Sequence, residues 1–156
     1  MTGALAWKRT FATWGPLALY AIVVLAFGGM SQGSAARIVS LIPLGPSDKV
    51  LHFTLFFGFG WLFVRALQIT HPGLTGARTA LLVALAGTAL GSLDELLQSF
   101  SMTRSGALGD VVADACGAAV GGTLRIVVRR LRARVSTAAL TSASDNNPTL
   151  PTSDPA

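Results

Sequence analysis

Apolar residues in this chain gather into long runs instead of recurring at the helical or strand period of a half-buried surface, and three polar interruptions separate four such runs. A helix that crosses the hydrocarbon of a bilayer needs about 20 mostly apolar residues. Phe11 to Met30, Val50 to Ile69, Ala80 to Leu97 and Leu108 to Val128 each come close to that length. The pattern therefore predicts an all-α polytopic membrane bundle of four transmembrane helices, at about 11–30, 50–69, 80–97 and 108–128.

The local punctuation agrees. Lys8 and Arg9 precede the first run and Trp7 and Trp14 border it, as interfacial anchors do. A cleaved signal peptide is the competing reading, because a basic start, an apolar stretch and Gly33, Ser34, Ala35 and Ala36 imitate a cleavage site, although the run is long for a signal segment. His71, Pro72 and Gly73 stop the second run. Residues Ala36 to Leu44 have room for a short interfacial segment. From Val135 onward the chain offers little to bury, so ordering it costs conformational entropy without compensation. The division is a transmembrane domain over 1–134 and a disordered cytoplasmic tail over 135–156.

Composition narrows the solvent. The 156 residues are 51% hydrophobic and only 12% charged, with a mean hydropathy of +0.59, whereas soluble domains carry about 25% charged residues. That excludes an ordinary water-soluble fold. The net charge of +5 invites a nucleic-acid reading, but Arg125, Arg129, Arg130, Arg132 and Arg134 follow directly on an apolar run with no aromatic residues between them. A juxtamembrane anchor accounts for them, and no nucleic acid is expected as a partner. Cys116, the one cysteine, lies inside an apolar run and reads as a packing residue. Lys8, Arg9, Arg65, Arg78 and the five C-terminal arginines lie on the side of both termini, against Arg37, Lys49 and Arg104 opposite. The positive-inside rule then puts both termini in the cytoplasm.

With that topology the unusual polar residues fall at one depth near the outer face. Asp48, Lys49 and His52 begin the second helix, Asp94, Glu95 and Gln98 end the third, Asp110 and Asp114 begin the fourth, and Arg104 sits between the last two. Helical phase agrees: Gly87, Gly91, Asp94 and Gln98 share one stripe, and Asp110, Asp114, Gly117 and Gly121 repeat the spacing. Each stripe holds a G-x-x-x-G, which lets helices approach closely and turns the acids toward protein. On the second helix Lys49, His52, Phe56 and Gly60 lie on one side with Phe53 adjacent, a polar mouth above an aromatic floor suited to a lipid-like molecule; plain packing of Phe53, Phe56 and Phe57 is the alternative.

Ionisable residues inside membrane spans are costly, so such a set is a functional candidate; a network that staples three helices together is the rival account. Carboxylates outnumber cations, and Asp110 and Asp114, four apart, repel unless a proton, a divalent metal or a cationic ligand group intervenes. One histidine with several carboxylates suits manganese, magnesium or zinc, so a divalent metal is a candidate cofactor, although no compact ligand motif is present. No serine stands in a nucleophile-elbow context.

Asp48-Lys49-x-x-His52-Phe53 before an aromatic-rich helix, then Asp94-Glu95-x-x-Gln98, Arg104 and Asp110-x-x-x-Asp114-x-x-Gly117, resembles the VanZ-like family of membrane proteins over most of residues 15 to 128. Asp114 stands where many members carry Asn. The resemblance implies a multi-pass protein of the bacterial cytoplasmic membrane, with an association to glycopeptide resistance of the teicoplanin type in the founding member.

Three function classes follow. The outer-face cluster binds a lipid-linked or lipopeptide-like envelope molecule, its head at Lys49, His52, Glu95, Gln98 and Arg104, with Asp94, Asp110 and Asp114 completing the site. If chemistry accompanies binding, His52 or Glu95 is the acid or base and Arg104 holds an anionic head. The second class is a small proton- or ion-coupled transporter. The third is a non-catalytic module whose glycine stripes and basic end contact a partner, with a helix-mediated oligomer as one form.

Overall fold

A computed structural model describes residues 2–30, 32–41, 47–100 and 108–145. The described residues form five helices and no strand: α1 (Thr2–Gly28), α2 (Gln32–Val39), α3 (Asp48–Thr70), α4 (Gly76–Ser99) and α5 (Leu108–Asp145). Four of them are long and apolar enough to cross a membrane, over Leu5–Gly28, Asp48–Thr70, Gly76–Ser99 and Leu108–Ser142. The expected all-α bundle with four spanning helices is thus present.

The outward surface explains why the runs read as unbroken apolar sequence. Leu19, Ile22, Leu81, Leu85 and Val112 are each at least 60% exposed, an arrangement stable only where hydrocarbon replaces water. The inward surface is small: Leu17 and Val24 of α1, Phe56 and Phe59 of α3 and Ala118 of α5 make the buried apolar core. Trp14 meets Phe63 edge-on at 6.3 Å, and Tyr20 donates its hydroxyl proton to the Leu55 carbonyl at 3.0 Å. These contacts tie α1 to α3.

The α3–α5 contact is closer than side-chain packing allows. A Cβ added at Gly60 would strike the Ala118 backbone, one at Gly117 the Phe53 carbonyl, and one at Gly121 the Phe57 carbonyl. Glycine is required there because backbone meets backbone. Gly87 of α4 faces the Ala118 side chain, 2.5 Å from where its own Cβ would lie. Without a hydrophobic force between helices in lipid, such close packing is what holds the bundle together.

Several boundaries differ from those predicted. The first helix begins at Thr2 rather than near 11, because Ala4, Leu5, Ala6, Lys8 and Arg9 favour helix and carry it back from the apolar run. A short helix forms over Gln32–Val39, starting before the expected 36; residues 42–44 lie outside the described residues. The largest correction concerns the tail, since α5 continues through 135–145 where the composition predicts disorder. Alanine and leucine favour helix, no Gly or Pro interrupts before Pro148, and Thr137 and Thr141 return their hydroxyls to the carbonyls of Ala133 and Thr137. Residues 146–156 lie outside the described residues. Cys116 is exposed on α5 and does not serve as a packing residue.

Replacing Gly121 or Gly60 with valine is expected to destabilise the bundle by about 1–3 kcal/mol or more through overpacking, whereas Gly73→Ala, with open space around it, should be near neutral. Unfolding of the detergent-solubilised protein followed by circular dichroism measures both.

Candidate functional site

The end of the bundle where α3 begins, α4 ends and α5 begins collects the polar residues. His52 stands one turn into α3 and is turned inward by the Phe56 and Gly60 that follow it on the same buried face. Asp94 and Gln98 lie on α4 in line with Gly87 and Gly91, all four buried. Asp110 and Asp114 lie on the α5 face that contacts both other helices, and Asp114 has no solvent exposure at all.

His52 Nδ1 is 3.0 Å from Asp114 Oδ1 and 4.0 Å from Asp94 Oδ2. The first is a hydrogen bond; the second is too long for one. Gln98 Nε2 donates to Asp94 Oδ2 at 2.9 Å, which fixes the carboxylate from within its own helix. Nearer the end of the bundle Lys49 Nζ donates to Asp110 Oδ1 at 3.1 Å, the lysine being 64% exposed and the aspartate 8%. The site therefore has two storeys, a wetter Lys49–Asp110 pair above a sealed His52–Asp94–Asp114 triad. Glu95 is buried beside Asp94 on α4.

Among the described residues, the buried oxygens Asp94 Oδ1 and Asp114 Oδ2 have no hydrogen-bond partner. Both press against glycines: a Cβ at Gly91 would lie 2.7 Å from Asp114 Oδ2, and one at Gly28 would collide with the Asp94 carboxylate. Missing side chains on α1 and α4 thus make the space that the two carboxylates fill. Among the described residues, His52, Asp94 and Asp114, and likewise Asp48, His52 and Asp110, each form a group whose donor atoms lie within 4.8 Å of one another.

A model of the family described as VanZ/LLP1 matches residues 14–129. The chain belongs to the VanZ/LLP1 family. No curated protein and no solved structure matches it. As a VanZ/LLP1 protein with four helices able to span, it is a multi-pass membrane protein. The matched segment holds every polar residue of the site and ends at Arg129, leaving out residues 130–145 of α5.

Of the residues singled out in the VanZ/LLP1 chain from its sequence, Lys49, His52, Asp94, Glu95, Gln98, Asp110 and Asp114 come together at this end of the bundle. Arg104 lies outside the described residues. The aromatic floor is only partly as anticipated, because Phe56 is wholly buried in the core among Leu17, Val24 and Phe59 while Phe53 and Phe57 are half-buried. Gly28 was not anticipated; its one visible signal is the Gly28-Gly29 pair closing the first run.

The two storeys should respond differently to truncation. His52→Ala leaves the sealed carboxylates without their imidazole and is expected to cost about 3–5 kcal/mol, as breaking a buried ion pair does. Lys49→Ala removes a largely exposed partner and should cost about 0–1 kcal/mol. Unfolding free energies of the two variants in one detergent check the ranking.

Proposed function

We propose that this VanZ/LLP1 protein resides in the bacterial cytoplasmic membrane with both termini inside, and that its polar end, at the outer face, binds a lipid-linked or lipopeptide-like envelope molecule. The observation that carries the reading is a set of charged and amide side chains brought together at one end of a bundle whose flanks are apolar. A molecule with an acyl chain and a polar head matches that surface: the chain lies along the lipid-facing helices and the head reaches the exposed Lys49, which lies above His52, Glu95 and Gln98. Arg104, on the segment between α4 and α5, is assigned to an anionic group of the head.

Recognition of a lipoglycopeptide or of its lipid-linked target fits a role in glycopeptide resistance. If the bound molecule is also modified, His52 and Glu95 are the acid–base candidates. Coupled transport is less well supported, because the acids of the spans, Asp48, Asp94, Glu95, Asp110 and Asp114, all lie at one end and none marks the other half of the bundle.

Native mass spectrometry of the protein extracted with its lipids should show a co-purifying polyprenyl-linked or acylated envelope molecule. In nanodiscs, titration with a polyprenyl-diphosphate-linked precursor and with teicoplanin is expected to give binding that Glu95→Gln and Arg104→Ala each weaken by about tenfold, or about 1.4 kcal/mol. Equal affinity of wild type and both variants for both probes removes the reading.

A further inference from the structure

We propose that His52 Nδ1, Asp94 Oδ2 and Asp114 Oδ1 are the ligands of a divalent first-row metal ion, zinc or manganese, held between α3, α4 and α5.

The spacing comes first. A tetrahedral ion with bonds of about 2.0–2.1 Å holds its donor atoms about 3.3 Å apart. The imidazole nitrogen lies 3.0 Å from one carboxylate oxygen and 4.0 Å from the other, values on either side of that separation, and one donor atom from each of His52, Asp94 and Asp114 lies within 4.8 Å of the other two. Each donor comes from a different helix, so the gap among them is fixed by the bundle rather than by any one side chain.

The second observation is the unmet need of the two aspartates. Asp114 is fully buried and Asp94 is 2% exposed, and among the described residues the second oxygen of each, Asp94 Oδ1 against Gly28 and Asp114 Oδ2 against Gly91, has no hydrogen-bond partner, so neither buried charge is fully compensated by the protein. A buried carboxylate is expected to be paired or to coordinate a metal. One imidazolium can balance only one of the two; a dication bound by a neutral imidazole balances both and leaves the triad uncharged.

The surroundings fit a coordination site. Gln98 Nε2 donates to Asp94 Oδ2, the kind of outer hydrogen bond that orients a ligating carboxylate. Gly28 and Gly91 leave the carboxylates room that a methyl group would take. The donor set of one nitrogen and two oxygens in a water-poor setting favours zinc or manganese over magnesium, which prefers oxygen donors and gives up its waters reluctantly. The alternative set of Asp48, His52 and Asp110 is the poorer one, since Asp48 is exposed and Asp110 is already engaged by Lys49.

Three protein ligands leave a coordination position open. On the proposed ligand reading, the head of the envelope molecule binds above the buried triad, and the ion lowers the negative charge that an anionic head would otherwise meet. Metal binding itself does not depend on that reading and is measured without any lipid ligand.

The full-length protein in detergent, stripped with EDTA and desalted, is equilibrated separately with zinc and manganese chloride, and bound metal is read by elemental mass spectrometry. About one equivalent per chain is expected, with a rise in unfolding temperature, and cobalt substitution should give the visible absorption of a nitrogen–oxygen site. His52→Gln, Asp94→Asn and Asp114→Asn should each weaken uptake by about a hundredfold, while Asp110→Asn retains it. Helical content of every variant is checked by circular dichroism. A wild-type chain that binds neither metal and gives a featureless cobalt spectrum overturns the proposal, as does uptake by the three ligand variants equal to that of wild type. A wild type without metal that still bound the lipid probes would sink the metal site and leave the ligand reading standing.

Discussion

The contact of bare backbone between α3 and α5 is the constraint on which the site depends. Gly60, Gly117 and Gly121 remove the side chains that would otherwise hold the two helices a full side-chain layer apart. Only at that separation does an imidazole one turn into α3 reach an aspartate one turn into α5 within hydrogen-bond distance. The same approach seats Ala118 against Gly87 and so sets how close α4 can come. The polar residues do not gather because they attract one another across open space; the glycines place the helices, and the helices carry the charges to a common depth.

The electrostatics follow from that placement. In hydrocarbon an unbalanced carboxylate is far costlier than in water, and the bundle handles its acids in two ways. Asp110, near the end, meets the ammonium of a lysine that remains in the aqueous layer. Asp94 and Asp114, deeper, share a single imidazole and one glutamine donor. The shallow pair resembles an ordinary interfacial ion pair, and the deep triad is the part whose chemistry sets this bundle apart.

Much of this was legible in the chain itself. Four spans, the direction in which Asp94, Gln98, Asp110 and Asp114 face, and the role of Gly117 and Gly121 follow from run length and from spacings of three and four residues, which are local properties of a helix. What crossed between helices was not legible. Nothing local distinguishes Gly28 as the neighbour of Asp94 or Gly60 as the neighbour of Ala118, because those contacts depend on how α1 crosses α4 and how α5 crosses α3. Phe56 was ambiguous for the same reason, its burial being decided by the arrival of Leu17 and Val24. The tail misled differently: low apolar content argued against order, but α5 is already nucleated in the membrane, and extending an existing helix is far cheaper than starting one.

That extension has a mechanical side. At about 1.5 Å per residue, the 38 residues of α5 make a rod of about 57 Å, nearly twice the hydrocarbon thickness of about 30 Å. Its first turns carry Asp110 and Asp114, and it runs on as one helix to Asp145. A tilt of about ten degrees about the charged end would therefore move the opposite tip by about 10 Å.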